Sequence, residues 1–472
     1  MKDNPRILFV SPHNQAGFDF YGYHTKRNSA IQLSQPRIMW PGLRFIKQNF
    51  PQIEILEFPT WEEYTQVLSR GWDIVGFSFF TDGTNEVLQM ADYARKQGIK
   101  ELWAGNYGAM NPLIRANFDE VFTGYSEIPI AEKLGVELGP LIHPPLIDGI
   151  GLKPLPNTMI RTSWLYTARG CPLKCTFCQT PSFAPNVVDT PLESIERVIR
   201  YYKEQEVQVV LIYDEIFGIS RAHAQEVVSL LRKYEMPWGV MTRSDILGKN
   251  LDEWHDSGLI GVVIGIESMN PATLKEIKKK MTVETTIDML ERLHERNIIV
   301  TGTYIIGFEG DTVESVKRDF QELQKLKPDF MKIYIATPFP ETPLWDDIQK
   351  YGIDTSDWSK FDGKHLVWNH PHLSREDGQM LLEYGYEMFN SEAHVFRFMG
   401  KLRQQLVKKK GPRDAHSFFL SSFHNLLRGR PQERNFFESA PPPQRVIQPA
   451  ETAGLAIPPL VSIEPLQRAI SK

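Results

Sequence analysis

Apolar positions along this chain come in short blocks separated by amphipathic stretches, and the alternation runs twice. From Arg6 to about residue 135, apolar runs at Arg6 to Val10, Ile53 to Phe58, Asp73 to Phe79, Lys100 to Ala104 and Glu120 to Phe122 predict strands. Pro41 to Asn49, Trp61 to Arg70 and Thr84 to Gln97 carry helical spacing between them. Asp73 to Phe79 (DIVGFSF) is nearly continuous in apolar residues, as a strand buried on both faces requires. Strands alternating with helices predict a parallel, doubly wound sheet, of the Rossmann or flavodoxin type, over residues 1–135. Ligands of such sheets sit beyond the carboxyl ends of the strands. The rhythm then pauses. Pro140, Pro144, Pro145, Pro154 and Pro156 punctuate residues 136–162, which predicts a linker.

The alternation restarts at Ser163 and lasts to about residue 340. Strands are predicted at Ser163 to Ala168, Val207 to Tyr213, Pro237 to Thr242, Gly261 to Ile266, Ile298 to Ile306 and Phe330 to Ala336. Helices are predicted at Pro191 to Glu206, Arg221 to Tyr234, Leu251 to Ser257, Val283 to Arg296 and Val313 to Leu326. A wound parallel sheet or a barrel follows. Residues 341–438 read as mostly helical. Trp345 to Tyr351 forms a short helix, and Ser374 to Gln405 a long one with Ser374 as N-cap, expected to pack on the barrel mouth. Lys408, Lys409, Lys410 and Arg413 precede a Phe419, Phe423, Leu426, Leu427 stripe. That pairing reads as a packed helix with a solvated flank or as a peripheral membrane contact through the C-terminal region. Residues 439–472 turn to Pro, Gln and Ala, the composition of a disordered tail.

Composition narrows the function. Of 472 residues, 42% are hydrophobic and 24% charged, and the net charge is −5, which argues against a nucleic-acid partner. The N-terminus has no signal-peptide layout and no apolar run is long enough to span a membrane, so a cytoplasmic location is expected.

The chemistry concentrates in Arg169 to Cys178, RGCPLKCTFC. Cys171, Cys175 and Cys178 are the only cysteines in the chain, spaced by three residues and then two. Three thiols on one short loop suit an iron–sulfur cluster, whose irons take thiolates. A cubane held by three sulfurs keeps one iron open to a ligand that is not protein. Zinc would need a fourth ligand, for which His223 would have to fold back, and a disulfide would strand one thiol.

This spacing, with Phe177 before the third cysteine, resembles the signature loop of the radical SAM superfamily. The resemblance implies a partial (β/α)6 barrel, a [4Fe-4S] cluster and S-adenosylmethionine (SAM) on the open iron, cleaved to a 5′-deoxyadenosyl radical. It also implies an external electron donor such as flavodoxin or ferredoxin. The cysteine loop follows the first predicted barrel strand, at the end where barrels carry their chemistry. Further motifs close the other strands: Tyr213-Asp214-Glu215, Arg243, Gly265-Ile266-Glu267-Ser268, and Gly302 to Glu309 with Ile305 and Gly307. The SAM-binding candidates are therefore Phe177, Asp214, Glu215, Arg243, Glu267, Ser268, Ile305 and Gly307.

The preceding α/β domain resembles that of the cobalamin-dependent radical SAM subfamily. Ser78, Gly105, Asn106 and Gly124 fall where that subfamily places loops around cobalamin. The Asp-x-His-x-x-Gly element for a lower cobalt ligand is absent; the loop holds His13 without that pattern. The resemblance implies C-methylation of an unactivated carbon. The aromatic-rich region after Ser374 and the Phe/Leu stripe, read as a surface helix, lean toward a small-molecule or lipid-like substrate. Cyclisation or rearrangement with the same cofactors, or an electron carrier or sensor without substrate, are the alternatives.

Overall fold

The structure, a computed structural model, describes residues 5–13, 21, 24–25, 29–35 and 39–410. The first half of the chain contributes strands β1 (Ile7–Val10), β2 (Gln32–Ser34), β3 (Glu54–Leu56), β4 (Ile74–Ser78), β5 (Glu101–Gly105) and β6 (Glu120–Val121). All but β2 form one parallel sheet in the order β3-β1-β4-β5-β6. With β2 set aside, this is the flavodoxin-like order, whose topological switch lies between β1 and β4. Every residue of β1 and β4 is buried. Leu8, Val10, Val75 and Phe77 pack on one face; Ile7, Phe9 and Ile74 pack on the other. Two-sided burial is why these strands are apolar throughout rather than alternating.

The second half adds β7 (Ile147–Lys153), β8 (Leu155–Leu165), β9 (Ala168–Arg169), β10 (Val188–Asp189), β11 (Val209–Ile212), β12 (Trp238–Thr242), β13 (Leu259–Glu267), β14 (Ile299–Ile306) and β15 (Phe330–Ile335). The large sheet runs β15-β14-β13-β12-β11-β8-β7-β2. From β8 to β15 neighbouring strands are parallel, and the sheet curls into a half-barrel with helices outside. The outer helices follow the predicted pattern closely; Ser244–Ser257 starts earlier than expected.

Two expectations need correction. Residues 136–162 are not an unstructured linker: β7 and most of β8 lie in them, paired antiparallel, and β2 pairs antiparallel with β7. The prolines obscured this: Pro140, Pro144 and Pro145 stand before β7, Pro154 at the β7–β8 turn, and Pro156 at the second position of β8. Second, the C-terminal helix is two helices, Arg375–Phe389 and Glu392–Lys410, and the second does not cover the barrel mouth. Its Val395, Phe398, Met399, Leu402 and Leu406 pack with Val209, Ile260, Ile299 and Phe330. Those four residues stand at the first or second position of their strands, so this helix closes the opposite end of the barrel. Lys408, Lys409 and Lys410 end this helix, while Arg413, the Phe/Leu stripe and the Pro-rich tail lie outside the described residues. No helix among the described residues is long and apolar enough to cross a membrane.

Candidate active site

The cysteine loop leaves the carboxyl end of β8, and its base is fastened by the antiparallel β9–β10 pair. Gly170 makes the turn at φ +96°; a Cβ there would stand 2.1 Å from the Asn186 carbonyl oxygen. The Cys171 N–H donates to the Ala184 carbonyl at 2.9 Å, and that of Cys178 to the Cys175 carbonyl at 3.2 Å. All three thiols are free, which removes the disulfide reading. Among the described residues no three His, Cys, Asp or Glu side chains gather to hold a single ion. His223 instead sets its Nε2 2.9 Å from the Thr167 carbonyl oxygen. Burial pushes the Cys171 thiol up to about 11 and also raises Cys175 and Cys178. Without metal the loop therefore holds thiols, and metal binding must displace protons.

The other strand ends converge on this loop. Phe177 packs on Phe308, with ring centroids 5.9 Å apart, just after Gly307. The Gly307 and Phe308 N–H groups both donate to Asp311, at 2.8 and 3.0 Å. Glu267 sits at a bulge in β13 with φ +65°, receiving Lys279 Nζ at 2.7 Å and the Thr303 hydroxyl at 2.9 Å. Arg243 forks onto Asp245 at 2.9 and 3.2 Å and donates to the Lys279 carbonyl at 2.8 Å. Glu215 accepts the Gly170 N–H at 3.0 Å and the Tyr125 hydroxyl.

Not every candidate faces the site with a free group. Asp214 accepts the Thr167 N–H at 2.6 Å and the Thr167 hydroxyl as well; burial lifts its carboxyl to about 7. It braces the root of the cysteine loop. The Ser268 hydroxyl donates to Asp319 at 3.2 Å, a carboxylate that also receives Tyr304 at 2.8 Å. Ile305 is buried in the core cluster behind the strand ends.

The flavodoxin-like lobe faces the same loop. Arg169 forms a buried ion pair with Glu127 at 2.7 Å, and its guanidinium lies 3.8 Å from the Phe45 ring centroid and 4.7 Å from that of Tyr125. Tyr107 stacks on Phe183 at 4.3 Å and shares a 3.0 Å hydrogen bond with Thr180. Between the lobes lies a cavity of about 380 Å³. Ser78, Gly105, Asn106 and Gly124 border it, as do Trp164 and Tyr213 from the barrel. The Ser78 hydroxyl accepts Trp40 Nε1 at 2.8 Å, and the Asn106 side-chain Oδ1 accepts the Tyr107 N–H at 2.9 Å. His13 packs edge-on against Trp61, at 5.3 Å, and does not border the cavity.

Residues 165–350 match the family profile of the radical SAM superfamily. The chain carries a radical SAM domain. Over 85% of its length it is 24% identical to bacteriochlorophyllide d C-12(1)-methyltransferase of Chlorobaculum tepidum, covering 91% of that protein. It is 27% identical over 47% of its length to an uncharacterised methyltransferase of Pyrococcus horikoshii, of which it spans about half (50%). Among solved structures it resembles the radical SAM methyltransferase TsrM of Kitasatospora setae, bound to cobalamin and a [4Fe-4S] cluster. That likeness has a TM-score of 0.55 at 14% identity, over 75% of this chain and 76% of that one. At that identity the likeness speaks to fold alone. The radical SAM family implies a [4Fe-4S] cluster and SAM. The donor set agrees: three free thiols on one loop, not gathered on a single point, beside a rim of polar strand ends.

The sequence missed three participants. Lys279 lies within a run of three lysines, which reads as solvated charge. Tyr125 and Glu127 sit in the turn at residues 124–127, of which only Gly124 stands among the candidate residues; the Tyr125 hydroxyl donates to Glu215, and Glu127 pairs with Arg169 at the start of the cysteine loop.

Proposed function

We propose that this chain is a cobalamin-dependent radical SAM C-methyltransferase acting on a small molecule. The observation that carries the reading is the juxtaposition of the cysteine loop with a glycine-lined cavity of a flavodoxin-like lobe. Cys171, Cys175 and Cys178 would hold the cluster. Glu267, Glu215, Arg243 and Gly307 would surround SAM, with Phe177 walling the far side. Ser78, Gly105, Asn106 and Gly124 would receive cobalamin. When bound, these cofactors supply a 5′-deoxyadenosyl radical and a transferable methyl group.

The chain's own residues position and enclose. Glu215 ties the turn before Cys171 to Tyr125 of the first lobe, so the loop and the cavity wall move as one. Arg169 pins the same junction from the barrel side. Trp164, Tyr166 and Tyr213 present aromatic surface where cavity meets barrel, a wall suited to an apolar substrate and to keeping water out. The electron would come from an external donor such as flavodoxin or ferredoxin. A lipid-like substrate reached through the C-terminal region belongs to the same proposal.

The test is anaerobic reconstitution, followed by iron and cobalamin counts and incubation with SAM labelled on its methyl carbon. Four irons and one cobalamin per chain, with label in the product, are expected on cubane stoichiometry. A product without label would mean rearrangement. Cys→Ala at position 171, 175 or 178 should abolish the visible iron–sulfur absorption.

A further inference from the structure

The cysteine loop reaches the protein surface along one edge, and that edge is basic. Pro172 and Lys174 are exposed on the loop itself, and Cys175 and Cys178 are half-buried. Beside the loop run residues 275–280, fastened to it by the Thr176 N–H, which donates to the Ile277 carbonyl at 3.2 Å. Lys174 stands two residues from one side of that bond, and Lys278 one residue from the other. Lys275, Lys278 and Lys280 are exposed.

The local backbone sorts these charges. Lys279 turns inward: its Nζ lies 2.7 Å from Glu267, in space left by Gly265, where a Cβ would stand 2.4 Å from that nitrogen. Arg243 donates to the carbonyls of Lys279 and Lys280 at 2.8 and 3.4 Å. Lys278 and Lys280 adopt φ +54° and +53°, left-handed conformations that lysine seldom takes. Lys279 is thus neutralised in a buried pair while both its neighbours stay in solvent. Among the described residues no carboxylate pairs with Lys174, Lys275, Lys278 or Lys280. The exposed carboxylates on the same stretch are Glu276 and Glu284, so Lys174 and residues 275–284 carry a surplus of positive charge. The chain as a whole stands at −5, opposite in sign to this edge.

We infer that this edge is the docking surface for an acidic one-electron carrier protein, with Lys174, Lys275, Lys278 and Lys280 facing its carboxylates. The inference rests on the radical SAM reading, which requires an electron from outside, and goes beyond it by giving the donor a place on this chain. A partner seated here touches the loop that carries the three thiols, so no other element has to relay the electron. In the step served, the partner gives up one electron and is oxidised; a [4Fe-4S]2+ cluster on Cys171, Cys175 and Cys178 takes it and becomes [4Fe-4S]+. No bond forms or breaks. Opposite charge raises the encounter rate and fixes the orientation of such a pair more than it raises affinity.

The test mixes the anaerobically reconstituted full chain with fully reduced flavodoxin of net negative charge and follows cluster reduction by absorbance. Lys278→Glu combined with Lys280→Glu should slow that reduction roughly tenfold at low ionic strength. The difference should shrink as salt rises toward about 1 M, where charges are screened within about 3 Å. Photoreduced 5-deazariboflavin, small and uncharged, should reduce the natural chain and the variant at the same rate. Lys96→Glu combined with Lys325→Glu makes the same change of net charge at the ends of the helices Thr84–Lys96 and Val313–Lys325, and should leave the flavodoxin rate near its natural value. Equal flavodoxin rates for the natural chain and the Lys278/Lys280 variant would overturn the inference. So would an equal slowing in the Lys96/Lys325 control, a slowing with 5-deazariboflavin as well, or no reduction of the natural chain by flavodoxin. If the Lys278/Lys280 variant takes up no iron, Lys174→Glu combined with Lys275→Glu decides by the same measurements. Failure of the natural chain to assemble any cluster would instead sink the radical SAM reading.

Discussion

Single residues at this site act mainly through what they hold. Asp311 accepts two backbone N–H groups after β14, and burial still lifts its carboxyl to about 7, against about 3.9 in an unfolded chain. Between those values the folded protein binds the proton that the unfolded chain has lost. Stability should therefore fall as pH rises from about 4 to about 7, by a few kcal/mol at most, and level off above. Thermal melts of Asp311→Asn, which keeps an acceptor oxygen without the titration, should show a shallower slope across that range. Gly170 offers a sharper test. An alanine Cβ would collide with the Asn186 carbonyl in a left-handed turn, costing about 1–3 kcal/mol in backbone strain alone. Gly170→Ala should fold with normal far-ultraviolet dichroism yet retain far less iron than the natural chain. The cysteines and their spacing could be read from sequence because three thiols on one loop have few other uses. Lys279 could not, since burial of one lysine among three depends on contacts with Arg243, Glu267 and Gly265, each distant in the chain.

Secondary structure was legible where burial is one-sided or complete, and obscured where pairing depends on remote chain. The helices outside the barrel carry a clean apolar stripe, so Val283–Glu295 and Val313–Lys325 fall almost where the spacing puts them. β7 escaped notice because its ladder partners, β2 and β8, could not be inferred from its own composition. The single long helix expected over Ser374 to Gln405 is two, and the second, Glu392–Lys410, covers the end of the barrel opposite the one expected. Its apolar side matches any hydrophobic surface, and only the fold shows that the amino-terminal ends of β11, β13, β14 and β15 await cover. Phe398 is the central plug, 6.2 Å from the Phe330 ring and 5.9 Å from Tyr21. Phe398→Ala should lower unfolding free energy by about 3–5 kcal/mol in denaturant titration. Cluster content should be unchanged, because the plug lies at the far end of the strands from the cysteines.

At the scale of the molecule, two lobes meet around one cavity and are tied there by charge. Arg169 and Glu127 are both buried, so removing one partner strands the other. Glu127→Gln should cost about 3–5 kcal/mol. Hydrogen exchange should quicken first at the Gly124–Glu127 turn and the cysteine loop, ahead of either sheet. The lobes are joined by more than this contact. β2 leaves the chain between β1 and β3 of the first sheet and becomes the edge strand of the second, beside β7. Chain order and spatial membership thus disagree. A gene cut near residue 135 would yield a downstream half whose β7 lacks its neighbour, and its bare edge would invite pairing with other copies. Light scattering of that fragment should show self-association, and adding a peptide of residues 29–35 should reduce it. The two halves would then have been selected as one inheritance, because neither could be shuffled onto another partner without taking a strand from its neighbour.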